Sequence, residues 1–494
     1  MRNQAQLITY ADRFGGTLRG LADLLRGPLA GALSGGVHVL PFYVPIDRAD
    51  AGFDPTDHTQ VDPRLGSWED VAELAEVVPV MADVIVNHVS TASPQFRDFR
   101  AHGHASPYAG MFLTHGRVFP DGATEEQLLA LYRPRPGLPM TDMTLEDRTR
   151  RILWTTFTSE QVDLDVSDPQ TITYLQTILD RLAHAGVSMA RLDAIGYAVK
   201  TPGTSCFMTD DTYAFISELE GWCDERGIEP LVEIHAHYEE QLRTARAAPW
   251  IYDFALPPLA LHALFTGRAE ALGRWLRIRP HNAVTVLDTH DGIGVLDVGP
   301  DQRDRDRSGL LAPEQIDELV ETIHRNSDGA SRLATGSAAS NVDLYQVNTT
   351  YYDALARDDH AYLIARLLQV FLPGVPQIYY VGLLAGTNDL DLLERTGVGR
   401  DINRHRYLPH EIDEALARPV VQQLMALLRL RNTHPAFAGE WTLITAEGSR
   451  VAMEWLHGSD RAALTIDFAK PAFTLAFNEN GHMRRVEDLA ELDC

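Results

Sequence analysis

Lysine is almost missing from this chain. Lys200 and Lys470 are the only two in 494 residues, and arginine carries the rest of the basic charge. That pattern reads as genome composition bias rather than function. Basic residues are also outnumbered, 43 against 69 acidic ones, for a net charge of −26. Nucleic acid and anionic membranes are bound through basic patches, so neither is expected as a partner. A polyanionic substrate is likewise disfavoured over most of the surface. No stretch approaches the ~20 uninterrupted apolar residues of a membrane span. The segment Met1–Tyr10 lacks the apolar run and small-residue cleavage site of a signal peptide. Cys206, Cys223 and Cys494 are odd in number and lack metal-type spacing, which points to reduced thiols and a cytoplasmic location. There is no internal repeat, low-complexity tract or Gly/Ser linker.

What is present is an ordinary globular balance, 45% apolar and 23% charged, enough for a substantial core. Short apolar, β-rich runs recur at Gln6–Tyr10, Val37–Phe42, Val80–Val86, Ser188–Leu192, Pro230–Ile234, Trp250–Phe254, Ala283–Leu287 and Val375–Tyr380. Helical periodicity falls between most of them, at Leu18–Leu25, Trp68–Glu76, Thr171–His184, Thr212–Arg226, Tyr238–Ala247 and His360–Phe371. Strands alternating with helices in this way predict an α/β fold, a parallel (β/α)8 TIM barrel. A doubly wound open sheet would need a glycine-rich phosphate loop after the first strand; the run 9–17 carries no G-x-G-x-x-G. Two connections are too long for barrel loops, and both leave the C-terminal ends of strands, where barrel enzymes keep their chemistry. The expected division is a catalytic barrel from 1–87, 168–291 and 354–435, inserted loop domains at 88–167 and 292–353 over its C-terminal face, and an antiparallel C-terminal β domain at 436–494.

The chemistry gathers at strand ends. In Met189-Ala-Arg-Leu-Asp193, Arg191 and Asp193 are two positions apart and point to one face. A permanent cation beside Asp193 is expected to keep its carboxylate ionised, as a covalent nucleophile requires. A structural ion pair is the bland alternative for this element alone. Glu233 ends a second apolar run and Asp291 a third, so in a barrel the three carboxylates converge. Two carboxylates flanking a glycosidic bond suffice for cleavage, with retention when ~5–5.5 Å apart. Glu233 has no cation near it in sequence, so burial is expected to raise its pKa and suit it to general-acid work. Asp291 follows His290 and is placed to stabilise positive charge at an anomeric carbon. Asp50, Phe53, Asn87 and His88 lie after or at other strand ends, and carbohydrate sites use such aromatic faces and carboxylates. His235-Ala-His237 has the H-x-H spacing of some barrel metallohydrolases, but those place it after the first strand and need further ligands, so no catalytic metal is expected.

Taken together, Asp83-Val-Ile-Val-Asn-His88, Met189–Asp193, Glu233 and Val286-Leu-Asp-Thr-His-Asp291 resemble the four signature regions of the α-amylase clan, glycoside hydrolase family 13. The runs 6–12, 54–58, 132–137, 203–208, 252–258, 338–346, 371–377 and 399–404 are similar to those of its sucrose phosphorylases, so the resemblance spans essentially the whole chain. It implies a glycosyltransferase-type phosphorylase working by retaining double displacement. Asp193 would be nucleophile, Glu233 acid and base, and Asp291 transition-state stabiliser. Asp50, Phe53, His88, Phe157, Gln161, Arg191, His290 and Arg400 would line the glucose subsite. Tyr132, Asp343 and Gln346 would meet fructose; Arg135, Leu344 and Tyr345 would meet phosphate, with Tyr197 and His235 beside them. Because fructose is neutral and phosphate anionic, the loop 341–346 would swing Asp343 out and Tyr345 in. The implied partners are sucrose, inorganic phosphate, glucose 1-phosphate and fructose, with a homodimer as an expected assembly and no metal or other cofactor. Ile234 and His237 depart from the pattern on the acceptor side. Phosphorylated-sucrose or glucosylglycerate donors, a plain hydrolase, an isomaltulose-forming transferase, a catalytically dead barrel and a metallohydrolase are the alternatives.

Overall fold

Eight parallel strands close into a barrel in the computed structural model, which describes residues 1–48, 50–134, 137–301, 304, 306–338 and 346–492. In chain order they are Gln6–Thr9, Gly36–Val39, Val80–Ile85, Met189–Asp193, Glu229–Val232, Ile251–Asp253, Ala283–Thr285 and Val375–Tyr379, matching the eight apolar runs. Every strand residue except Glu229 is buried. Parallel strands covered on both faces need such continuous runs. Closure pairs the first strand with the eighth, Gln6 opposite Gln377 and Leu7 opposite Ile378. Several strands stop sooner than their apolar runs. Val232 pairs with Ile251 and the fifth strand ends there; Glu233 is the next residue, its N–H still donating to the Leu192 carbonyl at 3.4 Å.

All six expected helices form: Leu18–Arg26, Trp68–Ala75, Pro169–His184, Asp210–Asp224, Tyr238–Ala247 and Asp359–Phe371. Three begin earlier than their apolar periodicity, two of them by two residues and Asp359–Phe371 by one, because caps decide helix starts. Asp168 accepts from the Gln170 N–H with Pro169 in the first turn, and Thr209 accepts from the Thr212 N–H.

The long connection after the third strand contains the antiparallel pair His88–Ser90 and Gln161–Asp163, and a hairpin of Met140–Thr144 with Arg150–Trp154. It has its own core around Phe96, Phe99, Phe112 and Leu153. The connection after the seventh strand pairs Ile293–Gly294 with Gln346–Val347 and carries the helix Pro313–Asn326. Near the C-terminus, Glu440–Glu447, Arg450–His457, Asp460–Asp467, Ala472–Glu479 and His482–Val486 form a five-stranded antiparallel sheet. Its alternate residues Val451, Met453 and Trp455 face inward, and Trp455 Nε1 donates to the Phe371 carbonyl at 2.7 Å. Among the described residues no helix is long and apolar enough to cross a membrane. Cys206 and Cys223 are buried and unbridged; Cys494 lies outside the described residues.

Candidate active site

Arg191 is the hub. It sits on the fourth strand directly opposite Asp83 of the third. Its Nη1 donates to Asp83 Oδ1 and, at 2.8 Å, to Asp193 Oδ1. Its Nη2 lies 3.7 Å from Glu233 Oε1. Asp83 also takes His38 Nε2 on Oδ2 at 2.9 Å. Burial works against the Asp83 charge, yet His38 and Arg191 outweigh it and bring the carboxyl down to about 2. Such a group stabilises the fold above the unfolded carboxylate value near ~4 and loses that contribution as pH falls through the folded value. Replacing Asp83 by asparagine is therefore expected to cost at least about 2 kcal/mol at pH 7. Urea unfolding checks this: the gap to the parent protein should narrow on acidification from pH 5 towards 2, and a gap independent of pH would refute it.

Arg191 does not by itself hold Asp193 in the ordinary carboxylate range, contrary to the expectation from their spacing. Burial raises the Asp193 carboxyl well above its ordinary value; Arg191 opposes this, while Glu233 and Asp83 add to it. One guanidinium shared by three carboxylates does not neutralise them all. The expectation that Glu233 lacks a cation also fails in space, because Arg191 and His235 Nε2, at 3.8 Å, both face it. Its Oε2 accepts from the Ala194 N–H at 3.2 Å, where Ala194 turns left-handed at φ 55° to leave the strand.

Asp291 occupies a second cationic corner. Arg400 Nη1 is 2.8 Å from its Oδ1, and Arg404 Nη2 and His290 Nε2 are each 3.8 Å away. Burial would raise this carboxyl, but the permanent charges of Arg400 and then Arg404 drive it far below the carboxylate range. His290 itself is pushed down to about 3, chiefly by burial, so its imidazole is neutral. Arg404 also holds the His290 carbonyl through Nε at 2.8 Å. Sequence reasoning left it out, although it ends the 399–404 run.

The residues expected to line a sugar subsite form one connected wall. Phe53 stacks on His290 with centroids 4.9 Å apart, and the Arg191 guanidinium carbon lies 5.4 Å from the Phe53 ring. His88 Nε2 meets the Phe53 carbonyl and Gln161 Nε2, each at 3.1 Å; Gln161 reaches Asp50 Oδ2 at 3.2 Å. Phe157 packs edge-on against His88 and Tyr197, and Tyr197 lies against Tyr132 and Phe207. Lys200, one of the two lysines, buries its side chain as a clamp that carries no signal in the sequence. Its Nζ contacts Asp163 Oδ2 at 2.7 Å and Asn87 Oδ1 at 3.0 Å, tying the first insertion to the third strand.

Of the residues expected on an acceptor side, Gln346 accepts from the Gly292 N–H through Oε1 at 3.3 Å. Arg135, Asp343, Leu344 and Tyr345 lie outside the described residues. The two imidazoles of the H-x-H run take different partners. His235 Nδ1 meets Asp297 Oδ2 at 3.1 Å. His237 caps the helix Tyr238–Ala247 and bonds the Ser308 carbonyl at 3.1 Å, a structural role for this departure from the resembled pattern. Among the described residues there is no group of three or more His, Cys, Asp or Glu that could hold a metal ion.

Several known proteins are similar to this chain over nearly its whole length. Residues 9–241 match the family model for the α-amylase catalytic domain. The sucrose phosphorylase of Agrobacterium vitis is 57% identical, covering 96% of this chain and 97% of that protein. That of Bifidobacterium adolescentis is 51% identical, covering 99% and 98%. The crystal structure of sucrose 6F-phosphate phosphorylase from Thermoanaerobacter thermosaccharolyticum superposes with a TM-score of 0.90 at 36% identity, covering 99% and 98% of the two chains. A barrel with carboxylates at these strand ends, matched along its length by such relatives, belongs to the sucrose phosphorylase family within the α-amylase clan of glycoside hydrolases.

Proposed function

We propose that this chain catalyses the reversible phosphorolysis of sucrose to α-D-glucose 1-phosphate and D-fructose. The observation that carries the reading is Arg191 holding Asp193 at 2.8 Å with Glu233 at 3.7 Å from the same guanidinium, in a chain 57% and 51% identical to sucrose phosphorylases. In the first step an Asp193 oxygen attacks the anomeric carbon, the bond to the fructosyl oxygen breaks, and the Glu233 proton passes to departing fructose. Burial, with Glu233 and Asp83 adding to it, raises the Asp193 carboxyl against Arg191, so the ester it forms leaves no buried anion at that position. Positive charge at the sugar ring develops beside Asp291, which Arg400 and Arg404 keep ionised. In the second step a phosphate oxygen attacks the same carbon, the ester electrons return to Asp193, and the phosphate proton goes to Glu233. Two inversions give net retention.

In this reading Asp50, Phe53, His88, Phe157, Gln161, Arg191, His290 and Arg400 bind glucose. Tyr132, Tyr197, His235 and Gln346, with Arg135 and the 343–345 segment, form the acceptor subsite. Other hydroxyl acceptors take the glucosyl group when phosphate is scarce. The barrel, insertion and C-terminal boundaries stated above, a cytoplasmic location and a homodimer belong to the same proposal; sedimentation velocity tests the dimer. The higher identity to relatives that act on plain sucrose than to the phosphorylated-donor enzyme supports sucrose as donor.

Product analysis from sucrose with and without inorganic phosphate is the test. Glucose 1-phosphate is expected only when phosphate is present. Equal free glucose in both tubes would make the enzyme a hydrolase, and no turnover would move the donor to a phosphorylated or glycerate-linked sugar.

A further inference from the structure

We infer that Asp297 is a positioning residue for the phosphate half-reaction: it holds His235 as an imidazolium beside Glu233, facing the incoming anion. The inference rests on the phosphorolysis reading above. Asp297 belongs to the insertion after the seventh strand and is completely buried. Its Oδ2 accepts from His235 Nδ1 at 3.1 Å, and its Oδ1 accepts from the Ala236 N–H at 3.1 Å and Gln241 Nε2 at 3.0 Å. Three donors fix the carboxylate, and the carboxylate fixes the imidazole with a proton on Nδ1. The Nε2 edge is thereby turned to Glu233 Oε1 at 3.8 Å. Phe254 stacks on the imidazole at 3.8 Å between centroids, with planes 18° apart, which sets the ring's tilt. Gly294 keeps the space open: a Cβ there would stand 2.3 Å from Asp297 Oδ2 and 3.4 Å from His235 Nδ1.

Charge follows from the same contacts. Burial alone would strip the second proton from His235, but Asp297, then Glu233 and Asp291, outweigh it and raise its pKa. Those anions come from the insertion, from the segment carrying His235 itself, and from the loop that follows the seventh strand; Phe254, just past the sixth strand, is uncharged. Without Asp297 the buried ring loses its largest source of charge stabilisation. Fructose and water are neutral whereas phosphate is an anion, so a charged Nε2–H favours phosphate selectively.

The test is the partition of the glucosyl-enzyme between phosphate and water, read as glucose 1-phosphate against free glucose from sucrose. Asp297→Asn is expected to lower that ratio roughly tenfold, the size of one lost charge-assisted contact. The basic limb of kcat/KM for phosphate should move to lower pH. His235→Gln should lower the ratio as much, and the double variant should be no worse than His235→Gln alone, because Asp297 acts through His235. Gly294→Ala, which crowds the same pair, should shift the ratio the same way and serves where Asp297→Asn fails to fold. An unchanged ratio in either Asp297→Asn or Gly294→Ala, or additive losses in the double variant, would overturn the inference. A parent enzyme making no glucose 1-phosphate would instead overturn the phosphorolysis reading beneath it.

Discussion

Replacing Asp193 by asparagine is expected to lower sucrose phosphorolysis on the order of 10⁵-fold or more, since an amide of nearly the same shape cannot form the glycosyl ester. The loss should be as large with α-D-glucosyl fluoride as with sucrose, because both donors need the same nucleophile. Stability should move the other way. Burial raises the Asp193 carboxyl well above its ordinary value, with Glu233 and Asp83 adding to the rise against Arg191. An acid with a raised folded pKa costs stability once pH exceeds its unfolded value near ~4, and the cost grows until the folded value is passed. Asparagine removes that cost, so the variant should melt at or above the parent temperature at pH 7. Inactivity coupled to a lower melting temperature would mean that Asp193 is chiefly a structural partner of Arg191.

Glu233→Gln is expected to slow turnover of sucrose by roughly 10³–10⁴-fold, the usual contribution of a positioned acid. Here the donor decides the outcome. Fluoride leaves without a proton, so glucosyl fluoride should still load the variant at a rate within about tenfold of the parent. The glucosyl-enzyme should then be visible by mass spectrometry on the peptide that contains Asp193, and absent from the Asp193→Asn protein. Equal losses on sucrose and the fluoride would remove Glu233 from the acid role. The glutamine keeps an oxygen for the Ala194 N–H, so the backbone turn is preserved and the comparison isolates the proton.

Much of this molecule is legible in its sequence. Buried parallel strands advertise themselves as apolar runs, and all eight were found because that signal is local. The carboxylates at strand ends were found because a barrel brings such ends to one bowl whatever its loops do. Helix starts were legible too, but in the caps rather than in the periodicity, as Pro169 and Asp210 illustrate.

What sequence reasoning missed is distant partnership. Arg191 is two positions from Asp193 but 108 from Asp83, and the distant carboxylate turns a simple pair into a shared cation. Asp297 is 62 positions from His235, Lys200 is 113 from Asn87, and Arg404 is 114 from His290. No periodicity or capping rule reaches that far. The chain by itself determined the barrel, the strand ends and the residue types of the site, because hydrogen-bond ladders and apolar burial act over a few residues. Only the tertiary structure decided how charge is distributed among those residues, because a buried ion pair depends on separation in space and on the loss of water around it.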